Sequence, residues 1–400
     1  MKIKAILIMS MFLLFSLTLP SLMFNNVCKA KGNEIYVDSS YKGASNGSAM
    51  KPYKSIQEAI DAADEGGTIY VFGGLYNENL VINKKLKLWG SIEGGASVID
   101  YSNDLRYTIE ITADYVEMQD FYVYDNNSKK TSPIGALICI KSNNVVLQGN
   151  TIGNSNSWGI YIGSSSSGNV ISGNIINNTK KGVYVDSSNT NDIFNNLVDN
   201  SSEDAIHLFS SLNNRLYNNT FKNNYNGAYI ENCNNINLTN NTFNLTQFYG
   251  LYLLNSNYAI IKSNKFMGNS GDGVYLESVK CEISNNTFNY NKRGINIVGS
   301  DCMIFNNTIS NSSASGIYTF FGSKDNKIYL NKLINNGNSA QENGDNSWYY
   351  NENGNYWSYY NNVDRNLDGI GDFYYETGGV LDIYPLGYFL KPPNKPQKSP

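Results

Sequence analysis

One short unit recurs through the middle of the chain, and it constrains the possible folds more than any other feature. Each unit opens with a small residue, an aliphatic residue, usually a tyrosine, and a second aliphatic residue. The units begin at Gly159, Gly182, Ala205, Gly227, Gly250, Gly273, Gly294 and Gly316. Successive starts lie 21 to 23 residues apart. A fixed period of this length predicts a solenoid, in which each coil packs on the coils before and after it.

A second fixed position in each unit is an asparagine, with an aliphatic residue three places earlier and another apolar residue two places later. These asparagines are Asn150, Asn174, Asn196, Asn219, Asn241, Asn264, Asn286, Asn307 and Asn331. Stacked coils place like residues on like, so we expect an asparagine column at a turn and apolar columns in the core. One expected core column consists of Phe221, Phe243, Phe266 and Phe288.

The residue types within a unit predict strands instead of helices. Apolar residues alternate, as in Val183 and Val185 around Tyr184, which is the periodicity of a strand. The units are rich in Asn, Ser, Gly and β-branched residues, which disfavour helix. A unit of about 22 residues is too short for a propeller blade of roughly 40. We therefore predict an all-β fold, a parallel β-helix of roughly eleven or twelve coils with three short strands in each.

The flanking regions differ from the repeats. Lys2 and Lys4 precede an apolar run over residues 5–24, which predicts a secretory signal peptide over residues 1–30, with an uncleaved anchor as the alternative. Ser55 and Glu58 have the spacing of a capping box that opens a short helix. We expect an N-terminal cap and first coils over 31–110, regular repeats over 111–345, a C-terminal cap over 346–390, and a stiff Pro/Lys-rich tail over 391–400.

Charge and hydropathy limit the location and the partners. A formal net charge of −4 and an isoelectric point near 5.2 argue against a nucleic-acid-binding protein. The signal segment predicts an extracellular or cell-surface location. No later stretch is apolar for long enough to span a bilayer, so we expect a mature chain without a transmembrane span. We also expect the mature chain to be a monomer.

Several segments carry a family resemblance. Residues 35–38, 52–60, 67–71 and 76–78 resemble the N-terminal cap of secreted pectate-lyase-like right-handed β-helix proteins. The repeats resemble the NosD-like, carbohydrate-binding and sugar-hydrolase type β-helix repeats, and residues 354–358, 368–372 and 384–386 resemble the ending of NosD-like surface proteins. The resemblance implies a right-handed β-helix. It does not fix an activity, because this fold hosts lyases, hydrolases, binding proteins and structural proteins.

Two outward-facing columns on the first strand of each unit suggest a binding surface. The first contains Tyr161, Tyr184, Tyr229, Tyr252 and Tyr275, and the second contains Asp186, Glu231 and Glu277. Sugar rings stack their C–H faces on aromatic rings while their hydroxyls bond to carboxylates. These columns predict binding of a polysaccharide or cell-surface glycan. The alternative is a tyrosine ladder that only stabilises the stack, in a structural envelope or adhesin-like protein.

The same face also holds candidate catalytic residues, which are Asp186, Glu203, Asp204, His207 and Glu231. Asp186 and Glu231 are expected two coils apart, roughly 10 Å, near the upper limit for the acid and base of an inverting glycosidase. A polysaccharide hydrolase is therefore an alternative function, and a solvated polar surface is the simpler interpretation. A lyase would need an Arg or Lys base beside carboxylates, and of the four arginines we expect only Arg293 one coil from such a group, Asp272. Copper handling would require clustered His, Cys or Met, whereas the chain has one histidine.

One loop near the end resembles the first part of an EF-hand-type calcium loop. The candidate ligands are Asp364, Asn366, Asp368, Ile370 and Asp372. Gly369 stands at the sixth position of this loop, but the twelfth is Tyr375 where a bidentate glutamate is usual. We predict a structural calcium ion that stabilises the C-terminal cap, with an aspartate-rich turn without metal as the alternative.

The cysteines suggest structural positions. Cys281 and Cys302 occupy the same place in consecutive units, so they could pair or stack as inert thiols. Cys139 is expected to face inward as a small core residue.

Overall fold

The protein is a parallel β-helix, as the repeat predicts. The structure, a computed structural model, describes residues 34–91, 93–100, 106–125, 135–361 and 363–387. The predicted signal peptide and the Pro/Lys-rich tail lie outside these residues. Within them each coil contributes one short strand to each of three parallel sheets, A, B and C. Sheet B has 12 strands, in agreement with the number of coils that the period predicts.

The strands are numbered in chain order. Sheet A contains β1 (Glu34–Val37), β2 (Thr68–Val71), β5 (Lys87–Trp89), β8 (Glu117–Gln119), β11 (Val146–Gln148), β14 (Val170–Ser172), β17 (Asp192–Phe194), β20 (Arg215–Tyr217), β23 (Asn237–Thr239), β26 (Ile260–Lys262), β29 (Glu282–Ser284), β32 (Met303–Phe305), β35 (Lys324–Tyr329) and β38 (Asp345–Ser347). Sheet B contains β4 (Leu80–Ile82), β7 (Tyr107–Ile111), β10 (Ala136–Ile140), β13 (Trp158–Ile162), β16 (Val183–Asp186), β19 (Asp204–Phe209), β22 (Asn226–Glu231), β25 (Leu251–Leu254), β28 (Asp272–Glu277), β31 (Arg293–Ile297), β34 (Ser315–Thr319) and β37 (Asn338–Gln341). Sheet C contains β3 (Gly74–Asn77), β6 (Ser97–Asp100), β9 (Phe121–Tyr124), β12 (Thr151–Gly153), β15 (Ile175–Asn177), β18 (Leu197–Asp199), β21 (Thr220–Lys222), β24 (Thr242–Asn244), β27 (Lys265–Met267), β30 (Thr287–Asn289), β33 (Thr308–Ser310), β36 (Lys332–Ile334) and β39 (Tyr356–Trp357). Helix α1 (Ile56–Ala62) and the antiparallel hairpin of β40 (Tyr375–Thr377) and β41 (Val380–Asp382) complete the described elements.

The asparagine column forms a continuous hydrogen-bonded ladder at the turn between sheets A and C. At Asn219, for example, the side-chain amide donates to Asn241 Oδ1 at 3.0 Å and to the Ile193 carbonyl at 2.8 Å. The Asn219 backbone N–H also donates to Asn241 Oδ1, at 3.0 Å. The same pattern repeats from Asn150 to Asn331 and extends one step further to Asn355. Because these side chains are buried, the ladder gives the buried N–H groups of the turn, such as that of Asn219, a partner outside the strands.

The small residue that opens each unit is required by close packing. A Cβ atom on Gly250 would lie 2.6 Å from the Gly273 carbonyl oxygen and 2.9 Å from Phe266 Cδ1. The glycines therefore let the start of each sheet B strand pack closely on the core side chains of sheet C. The four predicted phenylalanines do lie in that core, with Phe243, Phe266 and Phe288 stacked at centroid distances of 4.7 Å.

Helix α1 covers the N-terminal end of the core with Ile56, Ala59 and Ile60. Its N-terminus is capped as expected, since the Ser55 side chain accepts a hydrogen bond from the Glu58 N–H at 3.2 Å. The Glu78 carboxylate accepts two further N–H groups of the first turn and the Ser55 hydroxyl. Glu78 thus ties the capping helix to the first coils through charge-assisted hydrogen bonds.

The C-terminal hairpin closes the other end of the stack. Asp382 is fully buried, and its Oδ2 accepts hydrogen bonds from the Asn355 N–H at 2.7 Å and from Trp357 Nε1 at 2.9 Å. Asp382 therefore terminates the asparagine ladder, which would otherwise end in an unpaired donor. Burial raises the pKa of this carboxyl, although its hydrogen bonds act in the opposite direction.

The cysteines differ in part from expectation. Cys139 does not face inward, because it is in register with Tyr161 and Glu110 on the outer face of sheet B. It is nevertheless buried there, and it shares a hydrogen bond with Tyr107. Cys281 and Cys302 are free thiols, and the Cys281 N–H donates to the Cys302 sulfur at 3.3 Å.

No helix among the described residues is both long and apolar enough to cross a membrane.

Candidate functional site

The outer face of sheet B carries three parallel columns of side chains, which we call the sheet B face. The tyrosine column contains Tyr161, Tyr184, His207, Tyr229, Tyr252, Tyr275, Asn296 and Tyr318, paired in this order from coil to coil. The carboxylate column contains Asp186, Phe209, Glu231, Leu254 and Glu277. The leading column, three residues before each member of the tyrosine column, contains Trp158, Lys181, Asp204, Asn226, Tyr249, Asp272, Arg293 and Ser315. The structure thus gives the register that the sequence predicts for the first two columns.

The rings of the tyrosine column contact one another along the coil axis but are not stacked flat. From Tyr161 to Tyr275, consecutive centroids lie 4.8 to 5.6 Å apart with interplanar angles of 39° to 89°. The buried phenylalanines Phe243 and Phe266, in contrast, are parallel to within 3°. Tilted and edge-to-face contacts of this kind are the favoured geometry of aromatic pairs. They leave the tyrosine side chains partly exposed along one surface.

Two tyrosine hydroxyls are paired with carboxylates of the next coil. The Tyr161 hydroxyl donates to Asp186 Oδ2 at 3.0 Å, and the Tyr252 hydroxyl donates to Glu277 Oε2 at 3.1 Å. Burial, and then the charges of Asp186 and Glu231, raise the pKa of Tyr184 to about 12. The column therefore supplies protonated hydroxyls and ring faces at neutral pH, and not a phenolate base.

A charged cluster lies at the middle of the face, around Asp204. The Asp204 carboxylate accepts hydrogen bonds from Lys181 and, at 2.9 Å, from Asn226, and its Oδ2 lies 2.9 Å from His207 Nδ1. Lys181 also pairs with Glu203 at 3.0 Å. Burial alone would raise the pKa of Asp204, but His207, Lys181 and Asn226 outweigh it and hold this pKa below its usual value. The Asp204 side chain is only 7% exposed, so the cluster is largely closed to solvent.

The structure divides the five candidate catalytic residues into two groups. Glu203, Asp204 and His207 come together, joined by Lys181. Asp186 and Glu231 belong to the carboxylate column and are not part of that cluster. They lie two coils apart, as predicted, with the Phe209 side chain in the position between them.

The sequence indicated Asp204, Asp272 and Arg293 but did not predict the leading column as a whole or the neighbouring aromatic ridge. Trp158 contacts the rings of Tyr161 and Tyr184, at 5.3 and 4.7 Å between centroids. Tyr249 contacts Tyr252 and Tyr275, each at 5.2 Å. The ridge continues at the turn before the strand through Phe248 and Tyr225, which are exposed and stacked at 5.9 Å. The constant offset of three residues from each tyrosine was the signal that could have identified the leading column.

The predicted calcium loop is held by its own backbone. The two carboxylate oxygens of Asp364 accept hydrogen bonds from the N–H groups of Leu367, at 2.7 Å, and Gly369, at 2.9 Å. Asp368 accepts one from the Ile370 N–H at 2.8 Å. Throughout the described part of the chain, no three His, Cys, Asp or Glu side chains gather closely enough to hold a metal ion. Calcium binding would therefore require the aspartates to turn toward a common centre, and it stays a prediction.

The fold is shared with solved structures of low sequence identity. The catalytic unit of a GH87 α-1,3-glucanase from Streptomyces thermodiastaticus has a TM-score of 0.55 and 14% identity, with 73% of this chain and 65% of that chain covered. The surface adhesin PfbA of Streptococcus pneumoniae has a TM-score of 0.53 and 15% identity, covering 70% and 87%. The A-module of the mannuronan C-5 epimerase AlgE4 from Azotobacter vinelandii has a TM-score of 0.52 and 15% identity, covering 73% and 94%. At these identities the likeness concerns the fold alone.

Sequence comparison gives a family. Two curated relatives, each described as a probable ABC transporter binding protein NosD, are 37% identical over 89 residues in Stutzerimonas stutzeri and over 91 residues in Pseudomonas aeruginosa. Each match spans only about a fifth of the relative, 20% and 21% of its length. The family described as periplasmic copper-binding protein (NosD) matches residues 29–230 and 202–362, which together cover well over half of the chain. The chain therefore belongs to the NosD family.

Proposed function

We propose that this is an exported protein, located outside the cell or at its surface, that binds a polysaccharide along the sheet B face. The observation that carries the proposal is the continuous series of aromatic rings in the tyrosine column from Tyr161 to Tyr275, including His207, with carboxylates in the adjacent column. Five coil steps of roughly 4.8 Å make this surface about 24 Å long, which is enough for several sugar rings in a row.

The chemistry of the face suits sugars. Partly exposed rings offer apolar faces for C–H groups, tyrosine hydroxyls donate or accept hydrogen bonds, and carboxylates accept hydrogen bonds from sugar hydroxyls. The aromatic ridge of Tyr225, Phe248 and Tyr249 widens the apolar surface beside Tyr252 and Tyr275. Structural neighbours named for a glucan and for mannuronan are consistent with such a use of the fold.

Polysaccharide hydrolysis is the second candidate, carried by Asp186 and Glu231. Their separation of two coils, roughly 10 Å, is at the upper end of the range for an inverting pair. Binding is favoured over hydrolysis because Asp186 already accepts hydrogen bonds from Tyr161 and Ser187, and Phe209 stands between the two acids. The Asp204 carboxylate, likewise, is already paired with Lys181 and His207.

Copper binding, which the family description names, does not fit the side chains present. His207 Nδ1 lies within 3.0 Å of both Asp204 and the Lys181 ammonium, which competes for the same position. The four cysteines of the described residues are buried, and the chain has a single histidine. These residues do not form the imidazole and thiolate set that copper prefers.

The proposal is tested by electrophoresis in gels that contain soluble polysaccharides, such as xylan, dextran, chitosan or polygalacturonate, alongside a cleavage assay on the same polymers. At least one polymer should retard the wild-type protein. A Tyr229→Ala, Tyr252→Ala double variant should lose the retardation, whereas a matched Tyr217→Ala, Tyr329→Ala variant on the outer face of sheet A should keep it.

Three outcomes would change the assignment. Retardation by no polymer would leave a structural role, and equal loss in both double variants would place binding elsewhere. Cleavage that disappears in Asp186→Asn or Glu231→Gln would establish the hydrolase instead.

A further inference from the structure

The carboxylate column alternates strictly between acidic and apolar side chains. Asp186, Glu231 and Glu277 stand on every second coil, and Phe209 and Leu254 stand on the coils between them. Since each coil advances roughly 4.8 Å, the carboxylates repeat about every 10 Å. A ligand that matches this surface must itself repeat over two coils.

The positive charges of the same face are already neutralised. Lys181 pairs with Asp204 and Glu203, and both the Nε and a terminal nitrogen of Arg293 donate to Asp272, at 2.6 and 2.9 Å. From Trp158 to Arg293, no other Lys or Arg occurs in the three columns of the face. An anionic ligand would therefore find no free cation there and would meet three carboxylates.

The three carboxylates of the carboxylate column keep capacity to accept further hydrogen bonds. The Glu231 carboxylate makes no hydrogen bond or ion pair with any described residue. Asp186 and Glu277 each accept a tyrosine hydroxyl, but a carboxylate has room for about four hydrogen bonds. These carboxylates therefore favour a positively charged partner with several hydrogen-bond donors.

We propose that the sheet B face selects a cationic amino-sugar polymer with β-1,4 linkages, laid along the coil axis. In an extended β-1,4-linked chain, successive sugars are turned over, so the same substituent returns to one side at every second sugar. An ammonium group on that side would meet Asp186, Glu231 and Glu277 in turn, while the alternate sugars pack on Phe209 and Leu254. Polyuronates are excluded by like-charge repulsion. This inference rests on the proposed polysaccharide-binding function.

Calorimetric titration with three hexasaccharides separates the effect of ligand charge on affinity from the effect of ligand shape. The probes are the β-1,4 hexamer of glucosamine, its N-acetylated and neutral counterpart of the same linkage and length, and a hexagalacturonate. The measurements are made at a pH of about 5.5, so that the amine of the glucosamine hexamer is protonated. The glucosamine hexamer should bind about tenfold more tightly than the acetylated one, because three partly exposed ion pairs add modest increments.

The preference should disappear in a triple variant, Asp186→Asn, Glu231→Gln and Glu277→Gln, whose side chains keep their size. It should also shrink in about 1 M salt, where the Debye length falls to roughly 3 Å. Matched changes at Asp192, Asp199 and Glu282, outside the three columns, should leave it intact. Equal or tighter binding of the acetylated hexamer or of the hexagalacturonate, or a triple variant that keeps the preference, overturns this inference while the binding function stands. If no hexamer and no polysaccharide binds, the proposed function fails as well.

Discussion

Replacing Asn241 with alanine tests how much one rung of the asparagine ladder stabilises the fold. The Asn241 side-chain amide donates to the Leu216 carbonyl at 2.8 Å and to Asn264 Oδ1 at 3.1 Å. Its Oδ1 accepts from the backbone N–H and the side-chain amide of Asn219, both at 3.0 Å. The substitution therefore removes four hydrogen bonds inside a closed core.

The cost follows from which groups lose a partner. The Asn219 amide still donates to the Ile193 carbonyl, and Asn264 Oδ1 still accepts from the Asn241 N–H. The Asn219 backbone N–H, however, loses the partner that Asn241 supplied, whereas the Leu216 carbonyl, which lies in strand β20, loses one donor but stays within the ladder of sheet A. A buried polar group left unpaired costs about 1–3 kcal/mol, so Asn241→Ala should lower the free energy of unfolding by about 2–3 kcal/mol.

The assay is equilibrium unfolding in urea, with Asn244→Ala as the matched control. Asn244 is three residues further along, half-buried, and its side chain makes no hydrogen bond within the described part of the chain. The control should change the free energy of unfolding by less than about 0.5 kcal/mol. If both variants unfold at the same urea concentration, the hydrogen bonds of the ladder do not stabilise the fold.

Three further predictions concern the glycines, the charged cluster and the C-terminal loop. Gly250→Ala should lower the free energy of unfolding by about 1–3 kcal/mol in the same urea assay, because its Cβ would overpack against the Gly273 carbonyl and Phe266. The ionised Asp204 carboxylate should stabilise the fold above its unfolded pKa of about 3.9, and this contribution should be lost as the pH falls through the lower folded pKa. Between the wild-type protein and Asp204→Asn, the free energy of unfolding measured across acidic pH should therefore depend less steeply on pH in the variant. An unchanged dependence would contradict a stabilising role of the ionised Asp204 carboxylate. Millimolar calcium should raise the melting temperature, and an Asp364→Ala, Asp368→Ala variant should lose that response; an unchanged wild-type melting temperature in calorimetry would leave the loop a turn without metal.

The period of the repeat was sufficient to predict the fold and the register of two columns. Stacked coils with a constant spacing place equivalent residues next to one another, so Tyr229 had to contact Tyr252 whatever the details of the turns. The asparagine ladder followed for the same reason. Both predictions required only the distance along the sequence from one unit to the next.

Features that depend on local backbone geometry could not be obtained in this way. The leading column shares a face with the tyrosines although strict alternation would place residues three positions apart on opposite faces. The alternation is interrupted because the two residues between them, such as Gly159 and Ile160, are both buried. Strict alternation therefore missed Lys181 as the partner of Asp204. Cys139 was placed on the wrong face because its strand is buried on both sides. Asp382 lies in a cap that does not repeat, so periodicity carried no information about its role in closing the ladder.

Hydroxyl-radical footprinting of the wild-type protein, with and without a polysaccharide that retards it, shows whether the sheet B face is the binding surface. Tyr184, Tyr229 and Tyr252 should become protected on binding, while Tyr217 and Tyr329 on the outer face of sheet A react as before. Protection confined to sheet A, or unchanged reactivity of the sheet B tyrosines while polysaccharide is bound, would contradict it.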